Sequence, residues 1–221
     1  MGVENWSTTA SDNDDADLAN GIDWREGQTP GSINNSARAM MAAIKTSYGT
    51  LLKVERIAAA GVSVVDLTAP TGAKTLRVTG NIYVTATSNI TSRVSFDGAT
   101  FASASGDYRE SYTLKSTGTG TVVDANAAST TSLRLTIAGD STTTPQFFVA
   151  NFWLTRPSTS AVFRTHSLGT SQDVTAGHRF AHVSGYSVRS GSELSIAKVR
   201  ILGSTSDNWA SGSELLVEWF A

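Results

Sequence analysis

Few side chains in this 221-residue chain stand at spacings that support chemistry. His178 and His182 are four apart, which on a helix would present two metal ligands on one face. They fall instead in the strand-like run GHRFAH (177–182), where period-two alternation sets both beside Phe180, and no carboxylate completes an H-E-x-x-H pattern. Ordinary hydrogen-bonded histidines are the expectation, since a metal site would need the same histidines from each of several subunits. The acidic run from Ser11 to Asp23 has no register that supplies both the glycine and the terminal glutamate of a calcium loop, so it reads as a solvated spacer. Asp97-Gly98 reads as a hairpin turn rather than a ligand pair. Polysaccharide cleavage needs two carboxylates across a cleft, whereas Asp107, Glu110, Asp124, Asp140 and Asp173 are isolated in turn-like segments. There is no G-x-S-x-G elbow, no phosphate-cradling loop and no cysteine. No catalytic residue, cofactor or metal is expected.

The elements that would position any site are mostly strands. From about Ile57 onward, short alternating runs rich in Thr, Ser and Val are bounded by Gly, Asn or Asp. Leu76, Val78, Ile82 and Val84 share one register, as do Leu133, Leu135 and Ile137, so each run can bury one face and wet the other. Further strands are expected around Phe147 to Leu154, Val162 to Thr165, Arg179 to Val183, Leu194 to Leu202 and Glu214 to Phe220. About eight to ten strands suit a two-sheet, jelly-roll-like β-sandwich. In the last run Leu215, Val217 and Trp219 face one way and Leu216, Glu218 and Phe220 the other. A strand so apolar on both faces belongs inside a sheet, with Leu216 and Phe220 as candidates for a subunit interface.

Composition narrows the classes. A formal net charge of −2, from 17 Lys and Arg against 19 Asp and Glu, offers no basic stripe for nucleic acid. No apolar run is long enough to span a bilayer, and the acidic N-terminus does not read as a secretory signal, so membrane insertion is not expected. Length suffices for one domain and an appendage, with boundaries expected at 1–55 and 56–221.

The appendage is the odder part. Trp24 sits between Asp23 and Arg25, ahead of Glu26-Gly27-Gln28-Thr29-Pro30-Gly31, so the chain should run extended and turn before a helix. Ser32, Asn34 and Asn35 offer oxygens to the first amides of that helix, expected over about 33–52. Ile33, Ala37, Met40, Met41, Ile44 and Tyr48 form one apolar stripe at helical spacing, its small and adaptable side chains suited to an uneven partner.

The order WSTTA (6–10), acidic spacer, IDWREGQTP (22–30) and NNSARAMMAA (34–43) resembles the N-terminal anchoring segment of tailed-bacteriophage tail fibre and receptor-binding proteins. The runs from Val64 to Val78, Ser95 to Gly98, Gly177 to Gly185 and Val199 to Trp219 are similar to a β module at the ends of such fibres. This resemblance implies a structural virion protein, a short homotrimeric tail fibre made in the host cytoplasm and assembled onto the particle. It implies docking on other virion proteins of the tail or adaptor/portal region, through Trp6, Trp24, Arg25, Arg38, Met40, Met41 and Ile44. The β head would then meet a host glycan or protein, with Tyr108, Tyr112, Tyr186 and Trp209 as candidate stacking residues. The alternatives are a capsid fibre or tail connector that binds no receptor, and a stand-alone carbohydrate-binding module.

Overall fold

The computed structural model of the chain describes residues 29, 33, 36, 51–85, 88–116, 122–136, 145–156, 158, 162–173, 177–188, 194–204 and 208–221. Two compact units divide the chain, Met1–Leu51 and Leu52–Ala221. In the first, Ile33 and Ser36 are helical, and the Ile33 amide donates to the Thr29 carbonyl at 3.1 Å. The remaining helix residues and the docking residues Trp6, Trp24, Arg25, Arg38, Met40, Met41 and Ile44 lie outside the described residues. Strand occupies Leu51 and Leu52, the last positions of the range expected to be helical.

The second unit is all β. In chain order its strands are β1 (Leu51–Ala58), β2 (Val64–Thr68), β3 (Thr75–Ile82), β4 (Ile90–Ser95), β5 (Tyr108–Ser116) and β6 (Val122–Thr130). These are followed by β7 (Leu133–Arg134), β8 (Gln146–Trp153), β9 (Phe163–Asp173), β10 (Gly177–Ser187), β11 (Lys198–Gly203) and β12 (Glu214–Phe220). They form two antiparallel sheets, one ordered β1-β12-β3-β8-β9-β10-β5-β6 and the other β2-β11-β4-β7. The chain is thus mainly β and a sandwich, as the alternating pattern implied, but with sheets of unequal width.

Alternation explains the core directly. Leu76, Val78 and Ile82 of β3, Phe148, Ala150 and Phe152 of β8, and Leu215, Val217 and Trp219 of β12 are all buried. They meet Leu67, Ile90, Val94, Leu133, Val199 and Ile201 of the narrow sheet in one apolar cluster. At about 25 cal/mol per Å² of apolar surface removed from water, this layer is the dominant stabilising term. β12 lies between β1 and β3, so the final strand is internal, as its two apolar faces required.

The narrow sheet ends where backbone groups still need partners. β7 pairs with β4 only at Thr91 and Ser92, which leaves Val94 beyond its reach. There the Val94 amide donates to the Tyr108 hydroxyl at 2.9 Å, and that hydroxyl donates to the Ala102 carbonyl at 3.0 Å. The Val94 carbonyl accepts from the Ala102 amide at 2.9 Å, closing a hairpin whose turn is Asp97-Gly98. Asp97 Oδ1 takes the amides of Ala99 and Thr100 and the Ser95 hydroxyl, and these bonds hold its carboxyl well below the usual range. Gly98 has φ of 75°, a left-handed conformation that favours glycine.

The sheets approach closely at Gly169, where an added Cβ would lie 2.5 Å from the Leu135 carbonyl oxygen. Ser167 Oγ donates to the same carbonyl at 2.8 Å. Gly169→Ala should therefore destabilise the domain by about 1–3 kcal/mol through overpacking against backbone, measured by urea unfolding. Tyr108→Phe should cost about 1–3 kcal/mol, because it strands the Val94 amide in the core. An unchanged unfolding midpoint for Tyr108→Phe would refute its role as a substitute strand edge.

Candidate functional site

Strand parity that buries one set of side chains in the wide sheet projects the other set outward. On β8 these are Phe147, Val149, Asn151 and Trp153, out of phase with buried Phe148, Ala150 and Phe152. On β9 and β10 they are Arg164, His166, Leu168 and Thr170, with Phe180, His182, Ser184 and Tyr186. Arg109, Ser111, Thr113 and Lys115 continue the surface on β5. Register ties these into rows that run across the strands.

One end of this face is polar and aromatic. Arg164 pairs with Tyr186, and Tyr186 with Arg109, while Phe152 opposite Thr165 sets Trp153 next to Arg164. Trp153 is 45% exposed, and both arginines are exposed. Together with Ser111, Asn126, His166 and Ser184 they line a shallow depression of about 570 Å³.

The other end is apolar. Phe147, Leu168 and Phe180 are 42%, 55% and 49% exposed, and with Val149, Thr113, Lys115, Thr170 and His182 they line a second depression of about 420 Å³. Leu216 of β12 shares a third depression with Phe147, Thr79, Asn81, Arg56 and Glu214, so the face turns polar toward the C-terminal strand. Large apolar side chains clustered on a solvated face are the informative exception to burial.

His166 and His182 stand where the two ends meet. Their Nε2 atoms are 2.6 Å apart and the rings meet edge to face, so one nitrogen carries the proton and the other accepts it. Burial, and then the neighbouring His182, hold the pKa of His166 below its ordinary value of 6.5. Groups of three or more metal-ligating side chains are absent among the described residues.

The candidate stacking residues are scattered by the fold. Tyr108 is fully buried, because its hydroxyl completes the narrow sheet, and Trp209 is 3% exposed within the main core. Neither can stack on a ligand. Tyr112 lies on the inward side of β5, where Arg134 sits over its ring at 4.9 Å. Only Tyr186 reaches the outer face. Glu110, expected in a turn, is instead buried in β5, 2.9 Å from Arg134 Nε and accepting the Arg134 amide at 2.9 Å. Burial pushes its carboxyl up, against the opposing pull of that amide and charge. Leu216 and Phe220 share an outward face with Glu218, and Glu218 makes a two-pronged pair with Arg77 at 2.6 and 2.8 Å.

Trp153, Arg164, Arg109, Phe147, Leu168 and Phe180 were not expected at a site. The signal for Phe147 and Trp153 is their parity, since they alternate with residues that must be buried. The cross-strand rows carry no sequence signal, because their members come from strands far apart in the chain.

No protein-family model matches this chain, and no curated protein does. Among solved structures it has 13% identity with one of the infectious bursal disease virus Gx strain, over 76% of this chain and 39% of that one, at a TM-score of 0.14. A structure of the infectious bursal disease virus VP2 subviral particle has 13% identity over 76% of this chain and 41% of that one, at a TM-score of 0.12. The chain spans less than half the length of either, and likeness at these scores carries no weight for fold or function.

The histidine pair makes stability depend on pH. With the His166 pKa depressed in the folded state, the unfolded chain takes up that proton first, so stability falls as pH drops through the ordinary histidine range. His182→Gln should raise the His166 titration midpoint, followed by proton NMR, while leaving it below the ordinary value because burial persists. A midpoint that does not move would remove His182 as a cause.

Proposed function

We propose that this protein is a structural component of a phage virion, a short homotrimeric tail fibre that docks through its N-terminal segment and presents the β-sandwich toward the host surface. The observation that carries this reading is the apolar end of the wide sheet. Phe147, Leu168 and Phe180 form a cluster, flanked by half-buried Val149 and Leu216, that a solitary soluble domain leaves in water at a cost. A second copy of the same domain removes that surface from water, and closed cyclic symmetry uses it fully.

The link to a virion comes from the order of motifs in residues 6–43, and the link to host attachment from the neighbouring polar end of the face. Leu216 and Phe147 line one depression from either side of β3, so the interface residue expected on the C-terminal strand borders the apolar cluster across Thr79 and Asn81. Phe220 stands apart from it, covered in part by Arg77 at 5.8 Å. Weak binding at each head would suffice, because three heads per fibre and several fibres per particle multiply it.

Light scattering on the full chain and on a shortened chain beginning at Leu51 tests the assembly. Both should have the mass of a trimer. Leu168→Asp combined with Phe180→Asp should give the mass of a single chain with unchanged circular dichroism. A monomeric wild-type full chain would overturn the fibre reading.

A further inference from the structure

We infer that the polar end of the wide sheet is a binding cleft for a carboxylated saccharide, the uronic-acid or sialic-acid class of ring, carried on a host surface polysaccharide. The inference rests on the fibre reading for the source of the sugar, and on the row Trp153, Arg164, Tyr186, Arg109 for its chemistry.

Two features of that row select an anionic sugar. Arg164 and Arg109 flank Tyr186 on the neighbouring strands, and among the described residues neither pairs with a carboxylate. The contrast with other strand arginines of the wide sheet is informative: Arg77 is paired with Glu218 and Arg56 with Glu214. A guanidinium left without a protein carboxylate on an indented face is matched to a carboxylate from elsewhere, which it grips through two parallel N–H bonds.

The second feature is the aromatic pair. Trp153, the exposed tryptophan among the described residues, stands on β8 beside Arg164, and half-buried Tyr186 lies between the arginines. Flat rings of this kind pack on the C–H face of a pyranose, while Ser184 and Asn126 supply hydroxyl-directed partners at the margin. The arginines are two strand spacings apart, roughly 10 Å at about 4.8 Å per strand, so a short oligosaccharide lying across the strands meets both. A nucleic acid fits less well, because the chain carries a net charge of −2 and the row holds no wider basic stripe.

The test is isothermal titration of the full chain with oligogalacturonate, with α2,8-linked oligosialic acid, and with a neutral malto-oligosaccharide of the same length. Binding of at least one acidic saccharide, about tenfold or more tighter than the neutral one, is expected, because one charge-assisted pair supplies that factor. Preference between the two acids identifies which ring the cleft takes. Arg164→Ala, Arg109→Ala and Trp153→Ala should each weaken binding about tenfold, with each arginine variant showing a smaller salt dependence and the tryptophan variant keeping it whole. Equal binding of acidic and neutral sugars, no binding of either acid, or binding unaltered by all three changes would overturn the inference. Light scattering on the same samples separates the two readings. A trimer that ignores acidic sugars sinks the cleft and leaves the fibre, whereas a monomer that binds them keeps the cleft and sinks the fibre.

Discussion

A four-stranded sheet packed on an eight-stranded one leaves backbone donors and acceptors at the narrow border, and the rest of the domain depends on how they are satisfied. Side chains do this work. Tyr108 substitutes for a missing strand at Val94, and the Thr136 hydroxyl accepts the Ile90 amide at 2.9 Å while donating to Gln146. Gln146 Nε2 in turn donates to the Ser88 carbonyl at 2.6 Å, so a buried polar chain ties the two sheets at one end. An unpaired amide in such a place costs about 1–3 kcal/mol, comparable to a large share of a domain's net stability. Each group in that chain is therefore held to one identity and one position.

The mismatch in width also shapes what remains. Where the narrow sheet stops, Ala181 and Val183 make a small second cluster with Tyr112 and Leu114, and Arg134 bridges to Glu110 beside it. Inward-facing residues of β10 and β5 are thus spoken for, and among the described residues the outward face of β8, β9, β10 and β5 carries exposed side chains along its length. That face divides along the strands into an apolar end, which removes itself from water only by meeting another apolar surface, and an arginine-bearing end, which keeps its charge hydrated. The paired imidazoles of His166 and His182 stand between these two regions, and burial makes His166 hold a proton less readily than in water.

Period-two alternation made the sandwich legible. Leu215, Val217 and Trp219 against Leu216, Glu218 and Phe220 identified both the strand and its internal position, because apolar residues at five of its seven places do not suit an exposed edge. Faces of aromatic residues were less legible. Tyr108 and Tyr186 are the same residue type in similar polar surroundings, yet one is a buried hydrogen-bonding strut and the other lines an open cleft. The difference arises from which strand lies opposite, a long-range fact that neither composition nor spacing holds. His166 and His182 illustrate the same limit, being sixteen residues apart and joined only because β9 and β10 pair with His182 opposite Leu168. Glu110 misled in the other direction: a lone carboxylate among polar neighbours suggested a turn, and its partner Arg134 lies on a two-residue strand with little sequence signature.

β1 is the strand through which every residue before Leu51 connects to the sandwich, and it occupies an edge of the wide sheet with β12 as its neighbour. Its side-chain ties there are few and peripheral, Arg56 to Glu214 at 3.3 Å and Trp219 Nε1 to Glu55 at 3.5 Å. A pull on β1 is carried by its hydrogen bonds to β12 and by Leu52 and Ile57, which pack against the buried layer. Tension along the strand loads those hydrogen bonds together, and tension across it opens them one at a time, so the direction of pull sets the force at which the domain yields.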